Sequence, residues 1–172
     1  MFILSAQRDD DADAAFANYR AYLAANKTNF PQRAYALATS DWYLDFRYHH
    51  CPHDAWLEQL AIDESSSGER HEIRTVSITI KLLGAYHDGT IVIHYPQVYA
   101  YRFNSVSLDA GHRDWRYDEL RINEHGQLVH EIEWCGAHDT GTWLIVASDI
   151  DYRWIPHDDH QFALESAKHE SL

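Results

Sequence analysis

The chain has 172 residues, of which 45% are hydrophobic and 13% aromatic, a composition that predicts a folded domain with its own hydrophobic core. Its 27 Asp and Glu outnumber its 14 Lys and Arg, and the net charge of −13 argues against nucleic acid and anionic membranes as partners. No apolar run approaches the roughly 20 residues of a membrane-spanning helix, and the N-terminus does not read as a signal peptide. Since the two cysteines form no disulfide framework, a reducing cytoplasm is the predicted location.

The first predicted element is an amphipathic helix over about residues 9–27, where an acidic opening precedes alanines and apolar residues recur at helical spacing. From residue 40 the apolar residues alternate instead, which predicts a strand over 40–48 and a second short strand over 56–62. The run Ser65-Ser66-Ser67-Gly68 is typical of a turn or loop.

The clearest strand pair lies between residues 76 and 95, where apolar residues alternate on both sides of Asp88-Gly89, a dipeptide favoured in type I′ turns. Pro96 predicts a bulge or a break, because proline has no N–H to donate to a strand ladder. The strand is expected to continue beyond it. Residues 108–118 are polar and predict a loop in which Trp115 is partly packed.

A second hairpin is predicted for residues 120–123 and 128–134, which flank a polar turn. A further turn at 136–141 leads into a long final strand over 143–154. Together these elements predict an α+β, mainly β fold: an N-terminal helix plus about seven antiparallel strands in a meander, forming a curved sheet or a sandwich. The predicted single domain spans 1–155, with its sheet over about 38–155, and 156–172 form a polar tail.

The densest group of metal-ligating residue types is the run from His49 to Asp54. Its candidates, His49, Cys51, His53 and Asp54, carry the imidazole, thiolate and carboxylate groups that bind zinc. Neighbouring residues of a strand point to opposite faces, however, and no Cys-x-x-Cys or His-Glu-x-x-His pair supports a metal site. A hydrogen-bonded turn is the preferred interpretation, so the sequence predicts no cofactor, with zinc as the alternative.

Nucleophilic catalysis has little support in the residues. Cys51 lies beside three histidines, which could lower the pKa of its thiol. The chain nevertheless has no Gly-x-Ser-x-Gly elbow and no glycine-rich phosphate loop. No catalytic residue is therefore assigned.

Two predicted strand segments carry acidic side chains that alternate with apolar ones. If these strands pair, their acids form one wall, and like charges facing each other destabilise a sheet unless a cation neutralises them. That cation comes either from a partner or from within the chain, from Arg121 or Arg153. A polar-aromatic loop adds residue types that are common at recognition surfaces. The predicted partner-binding residues are Glu131, Glu133, Asp149, Asp151, Trp115, Arg116 and Tyr117.

The stretches His53-Asp54-Ala55-Trp56-Leu57 and His130-Glu131-Ile132-Glu133-Trp134 resemble small uncharacterised bacterial proteins with a His-Asp-x-x-Leu motif. Some of those proteins are grouped with the immunity proteins of polymorphic toxin systems. The resemblance covers about residues 40–155. It implies a non-catalytic protein that binds and neutralises a partner, and it transfers no functional residue.

Three hypotheses follow from the sequence. The leading one is a cytoplasmic, non-enzymatic binding protein, immunity-like, that engages a basic protein partner and neither nucleic acid nor a membrane. The first alternative is a metal-dependent hydrolase that uses residues 49–54, with His112 and Asp114 brought near by folding. The second is a structural homo-oligomer joined through an exposed strand edge.

Overall fold

The computed structural model describes residues 1–105, 108–109, 111–136 and 140–157. This part of the chain contains N-terminal helices and a curved sheet of seven antiparallel strands, which confirms the predicted fold class. None of its helices is long and apolar enough to cross a membrane. The elements in chain order are a 3₁₀ helix Ala6–Asp9, α1 Ala12–Ala25, α2 Gln32–Ala38, β1 Trp56–Ser67, β2 Ile73–Leu83, β3 Gly89–Asn104, β4 Asp114–Ile122, β5 Leu128–Cys135, β6 Thr140–Ala147 and β7 Asp151–Pro156. Most of the predicted polar tail and the middle of the predicted turn at 136–141 lie outside the described residues.

Helix α1 confirms the predicted N-terminal helix and begins at a side-chain cap. The carboxylate of Asp11 accepts a hydrogen bond from the N–H of Ala14 (3.0 Å), which satisfies one of the free donors of the first turn. Tyr19 and Leu23 form part of its buried face. The sequence did not predict α2, which begins after Pro31 at its N-cap.

Strand β3 organises the sheet because it pairs along both of its edges. At Ile93 it pairs with β2 and β7 at once, and at Val98 it pairs with β2 and β6 at once. A strand has only two hydrogen-bonding edges, so β2 occupies one edge of β3 while β6 and β7 follow one another along the other. The predicted single strand over 143–154 is therefore two strands in line.

The break between β6 and β7 lies opposite the bulge that Pro96 predicts. The register of β3 against β2 shifts between Tyr95 and Val98, which confirms the bulge. At the same level, the N–H of Ser148 donates a hydrogen bond to the carbonyl of Gln97 (2.8 Å). The extra residues of β3 thus interrupt the neighbouring strand as well.

The strand pairs run from β1 through β2, β3, β6, β5 and β4 and back to β1, so the sheet closes into a ring. The closing pair is the weakest. Strand β1 meets β4 where Trp56 faces Asp114, and just before β1 the N–H of Asp54 and the carbonyl of Ala55 bond the backbone of Trp115 (2.8 and 3.0 Å); we call this place the seam.

Helix α1, rather than a strand, covers the outer edge of β4. The hydroxyl of Tyr19 accepts a hydrogen bond from the N–H of Leu120 and donates one to the carbonyl of the same residue, both at 2.9 Å. The hydroxyl of Tyr22 accepts a hydrogen bond from the N–H of Ile122 (3.0 Å). The hydroxyls of two tyrosines therefore bond backbone groups of β4 that a neighbouring strand would otherwise pair with.

The predicted strand over 40–48 is wrong. These residues form successive turns, with hydrogen bonds from the N–H of Tyr43 to Ser40 (3.3 Å) and from the N–H of Tyr48 to Asp45 (3.0 Å). The segment packs against the ring through Tyr43, which is fully buried, whereas Phe46 of the alternating apolar set is exposed. Alternation alone does not distinguish such a packed turn segment from a strand.

Two turns also differ from their predictions. Between β2 and β3 the loop covers residues 84–88, and the left-handed residue is His87 (φ 59°) rather than the Asp88-Gly89 pair of a type I′ turn. The serines at 65–67 belong to β1 and only Gly68 lies in the turn. The predicted hairpin at 120–134 is confirmed, with Ile122 facing Leu128.

The interior of the ring is an aromatic and aliphatic core. Trp115, predicted in a loop, lies in β4 and is fully buried against Trp134, which in turn packs against Trp143; the ring centroids are 5.4 and 4.9 Å apart. Ile78, Ile80 and the other buried aliphatic residues of β2 and β3 complete it.

Candidate functional site

A buried polar network lies inside the ring and is centred on Asp118. One oxygen of this carboxylate accepts a hydrogen bond from the indole N–H of Trp115 (2.9 Å), and the other accepts from the Tyr43 hydroxyl and from Nε2 of His130 (2.9 Å). The Tyr95 hydroxyl contacts Nδ1 of His130 at 2.7 Å. Burial raises the pKa of both tyrosines well above the ordinary value. All five side chains are buried, so a substrate cannot reach the Asp118–His130 pair and the network acts as a structural tie.

Glu119, the next residue of β4, is fully buried on the other face of the strand. Its carboxylate accepts hydrogen bonds from the N–H groups of Phe2 (2.7 Å) and Leu4 (3.1 Å). The guanidinium of Arg121 lies 2.8 Å from the second carboxylate oxygen. Glu119 therefore holds the N-terminal segment onto the sheet and is not available to a ligand.

Two of the four predicted metal-ligand candidates have partners of their own. Nδ1 of His49 contacts the Asp88 carboxylate, and the imidazole stacks on Tyr86 with ring centroids 4.1 Å apart. The Cys51 thiol is buried and donates a hydrogen bond to the carbonyl of Tyr43 (3.1 Å). Burial raises the pKa of this thiol to about 12. The lowered pKa that a nucleophilic Cys51 requires is therefore contradicted.

The other two candidates meet each other but no third ligand. His53 stacks on Phe46 with ring centroids 3.8 Å apart, and its Nδ1 donates a hydrogen bond to the carbonyl of Arg116. Its Nε2 lies 3.5 Å from the Asp54 carboxylate. Burial lowers the pKa of His53. Within the described residues no three His, Cys, Asp or Glu side chains come together as a metal site requires.

The acidic wall predicted from β5 and β7 does not form, because these strands are not neighbours in the sheet. Each of the four acids instead faces an arginine of the chain. Glu131 contacts Arg121, Glu133 lies 3.5 Å from Arg8, and Asp149 and Asp151 both contact Arg33. The acids thus face arginines of the chain itself, but of the two predicted arginines only Arg121 takes part, and Arg153 forms none of these four ion pairs.

The predicted recognition loop lies in β4 and only part of it reaches the surface. Trp115 as a partner-binding residue is wrong, because its side chain is fully buried in the core. Tyr117 lies under the guanidinium of Arg8, 4.2 Å from its ring centroid. The side chain of Arg116 keeps 42% of its surface exposed and lies 3.8 Å from Asp54.

The most open feature of the fold is one edge of β1. This strand leaves β4 after Trp56 and runs on to Ser67 with β2 along one side. Among the residues that the structure describes, none pairs with its other side from Leu57 onward. Residues 62–74, the end of the β1–β2 hairpin, are all exposed and form a projecting arm. An unpaired strand edge of this kind is a template for another chain.

The side chains along this edge are partly apolar and partly acidic. Ile62 faces the inner side of the hairpin and is 43% exposed. Glu58 and Asp63 are exposed, and within the described residues neither has a hydrogen bond or an ion pair. Glu64, by contrast, is paired with Arg74 at 2.8 Å. Glu58 and Asp63 are therefore carboxylates that the described chain does not neutralise.

A cleft of about 630 Å³ lies at the seam, beside the N-terminal end of β1. Trp56, Leu57, His112, Arg113, Asp114 and Cys135 are among its lining residues. The Asp114 carboxylate accepts a hydrogen bond from the indole N–H of Trp56 (2.7 Å). Arg113 is exposed and makes no hydrogen bond or ion pair with any described residue.

His112 and Asp114, which the hydrolase hypothesis adds to the histidine cluster, do not join it. The ring of His112 lies against Trp134 and Trp143, with centroids 5.5 and 5.2 Å away, and burial lowers its pKa. The Asp114 carboxylate accepts the hydrogen bond from the Trp56 indole N–H. The described residues thus offer no ligand set for a metal-dependent hydrolase.

Comparison of the chain with protein-family models, with curated proteins and with solved structures finds no match in any of the three. The resemblance to immunity proteins therefore stays a prediction.

Proposed function

We propose that this chain is a non-enzymatic binding protein that takes an extended segment of a basic partner protein onto the open edge of β1. The observation that carries this proposal is the edge from Leu57 to Ser67, which no described residue pairs. Strand addition at such an edge supplies main-chain hydrogen bonds, and the neighbouring side chains supply specificity. An immunity-like role in the cytoplasm, in which the chain neutralises its partner, is one form of such binding.

A basic partner suits this edge better than a second copy of the chain does. Glu58 and Asp63 lie beside the edge without a cation of the described chain against them. Two copies, each with a net charge of −13, would bring like charges together, and this destabilises a sheet. The same charge disfavours nucleic acid and anionic membranes.

The two faces of β1 define the segment that fits. Leu60 and Ile62 lie on the inner face of the hairpin, opposite Ile80 and Ile78 of β2. Apolar side chains of the partner would cover them. Cationic side chains would meet Glu58 and Asp63. Because side chains alternate between the faces of a strand, a segment with alternating apolar and basic residues satisfies both requirements.

The test uses a synthetic peptide of about ten alternating valine and lysine residues, a length typical of a long strand. Hydrogen exchange of the β1 amides in residues 57–67 is measured with and without the peptide. We expect binding to slow exchange there, because amides on the open edge gain hydrogen bonds. A peptide N-methylated at alternate residues lacks half the donors and should give little protection.

A matched pair of variants separates the edge from general attraction between charges. Glu58→Lys with Asp63→Lys reverses the two carboxylates of the edge, whereas Asp10→Lys with Glu124→Lys changes the net charge equally at other exposed acids. We expect the edge variant to weaken peptide binding by roughly tenfold or more, and the control variant by much less. Equal effects, or protection elsewhere than in β1, would contradict the proposal.

A further inference from the structure

The seam determines where a segment bound to β1 has to stop. Strands β1 and β4 are antiparallel, so Leu57 would face Arg113 if the pairing of Trp56 with Asp114 continued. The chain before β4 turns away instead, with left-handed backbone at Gly111 (φ 74°) and Arg113 (φ 65°). If β4 began several residues earlier in the chain, it would pair with the open edge of β1.

The direction of a bound segment decides which of its ends reaches the seam. A segment that pairs antiparallel with β1 runs in the same direction as β4 and lies in line with it. Its carboxyl end therefore lies next to Asp114, the first residue of β4. A segment parallel to β1 brings its amino end there. Antiparallel pairing is slightly more stable per residue, and the exposed guanidinium of Arg113 favours a carboxyl end at the seam.

Arg113 supplies the charge that distinguishes the two ends. Its guanidinium is exposed at the wall of the cleft and has no partner among the described residues. The neighbouring Asp114 carboxylate already accepts the Trp56 indole N–H. An unpaired guanidinium repels an ammonium group and binds a carboxylate through two parallel hydrogen bonds.

We propose that the cleft at the seam binds the free C-terminal carboxylate of the segment that pairs with β1, and that Arg113 recognises it. This inference rests on the proposed function and narrows the partner to a protein with an extended, basic C-terminus. One basic residue lies near the carboxyl end, against Glu58. A second lies about four residues earlier, against Asp63, because five residues separate the two acids and the bulge of β1 between Leu57 and Gln59 takes up one of them.

The experiment compares the valine–lysine peptide as the free acid with the same peptide as the C-terminal amide. We expect the chain to bind the acid about tenfold more tightly, as befits one charge-assisted contact. General attraction predicts the opposite order, because the amide is the more positive peptide and the chain is acidic. Tighter binding of the free-acid peptide than of the amide would therefore not be a consequence of net charge.

Variants of Arg113 test the residue itself. Arg113→Gln should abolish the preference for the acid while leaving the affinity for the amide within about twofold, and Arg113→Lys should retain part of it. Arg20→Gln is the matched control, since Arg20 is an exposed arginine on α1 that makes no ion pair with any described residue. Thermal unfolding checks that each variant is folded.

The outcomes of the two proposals are distinguishable. If acid and amide bind equally and both protect β1, the carboxylate site is wrong and the strand-edge function stands. If neither peptide protects β1, the proposed function is wrong and this inference fails with it. An acid preference that persists in Arg113→Gln would overturn the role of Arg113.

Discussion

Replacing Tyr19 by phenylalanine removes one oxygen atom at the edge of β4 and changes nothing else in the shape of the side chain. That oxygen bonds both the N–H and the carbonyl of Leu120, each at 2.9 Å, and both residues are fully buried. Burial raises the pKa of Tyr19 well above its ordinary value, so at neutral pH the hydroxyl is protonated and can donate as well as accept. The Tyr19→Phe variant leaves two buried backbone groups without a partner.

The expected loss follows from these two groups. A buried donor or acceptor without a partner costs about 1–3 kcal/mol, and partial relaxation of the helix reduces the sum, so we expect about 2–4 kcal/mol. A domain of this size has a free energy of unfolding of about 5–15 kcal/mol. The melting temperature should therefore fall by about 5–15 °C.

The assay is urea unfolding followed by the fluorescence of the six tryptophans. The control is Tyr22→Phe, which removes the same atom from a single hydrogen bond, to the N–H of Ile122 (3.0 Å), at a partly buried site. We expect this control to lose about 1 kcal/mol. Equal losses in the two variants, or a loss below about 0.5 kcal/mol for Tyr19→Phe, would refute the idea that Tyr19 replaces a strand at this edge.

Three further predictions concern the buried polar groups. Asp118→Asn should lower the free energy of unfolding by about 3–5 kcal/mol in the same urea assay, because the amide cannot accept all three hydrogen bonds of the carboxylate; a loss below about 1 kcal/mol would contradict the network. In a Cys135→Ser variant, Cys51 should react with a thiol reagent at pH 8 only after urea is added, since burial raises its pKa to about 12; rapid reaction in the folded state would show that the thiol is accessible. Burial lowers the pKa of His53 in the folded chain. Below about pH 6.5 the unfolded chain therefore binds a proton at this residue more readily than the folded chain does. The free energy of unfolding should fall as the pH falls. Urea midpoints at pH 7.5 and 5.5 should differ less in His53→Asn than in the wild type, whereas the exposed His125→Asn control should leave the difference unchanged.

Sequence patterns predict the sheet where a strand has one face on the core. The alternation in β2 and the first half of β3 reflects Ile78, Ile80 and Ile93, which are fully buried, and the hairpin of β4 and β5 is predicted for the same reason. The segment 40–48 has equally regular alternation but forms turns, because Tyr43 reaches into the end of the ring. Helix α2 spans seven residues, too few for a helical period to be distinct.

The open edge could not be predicted from the sequence for a physical reason. The second half of β1, from Asp63 to Ser67, projects from the ring and has no core to face. Its residues are polar on both sides, a pattern typical of a loop. The seam depends on a few long-range contacts, between residues 54–56 and residues 114 and 115, which no local pattern encodes. The acids of β5 and β7 are visible in the sequence, but their arginine partners come from distant elements.

The short seam, only a few residues long, bears on the order of folding. Strands β1, β2 and β3 pair as neighbours in the sequence, and so do β4, β5 and β6. Each three-stranded half can form from local contacts, whereas joining β3 to β6 and closing the seam bring distant residues together at a greater entropic cost. We therefore expect the seam to form late and to open early, which hydrogen exchange of the Trp115 amide would report. The ring can widen beside the arm while both halves keep all of their own strand pairs.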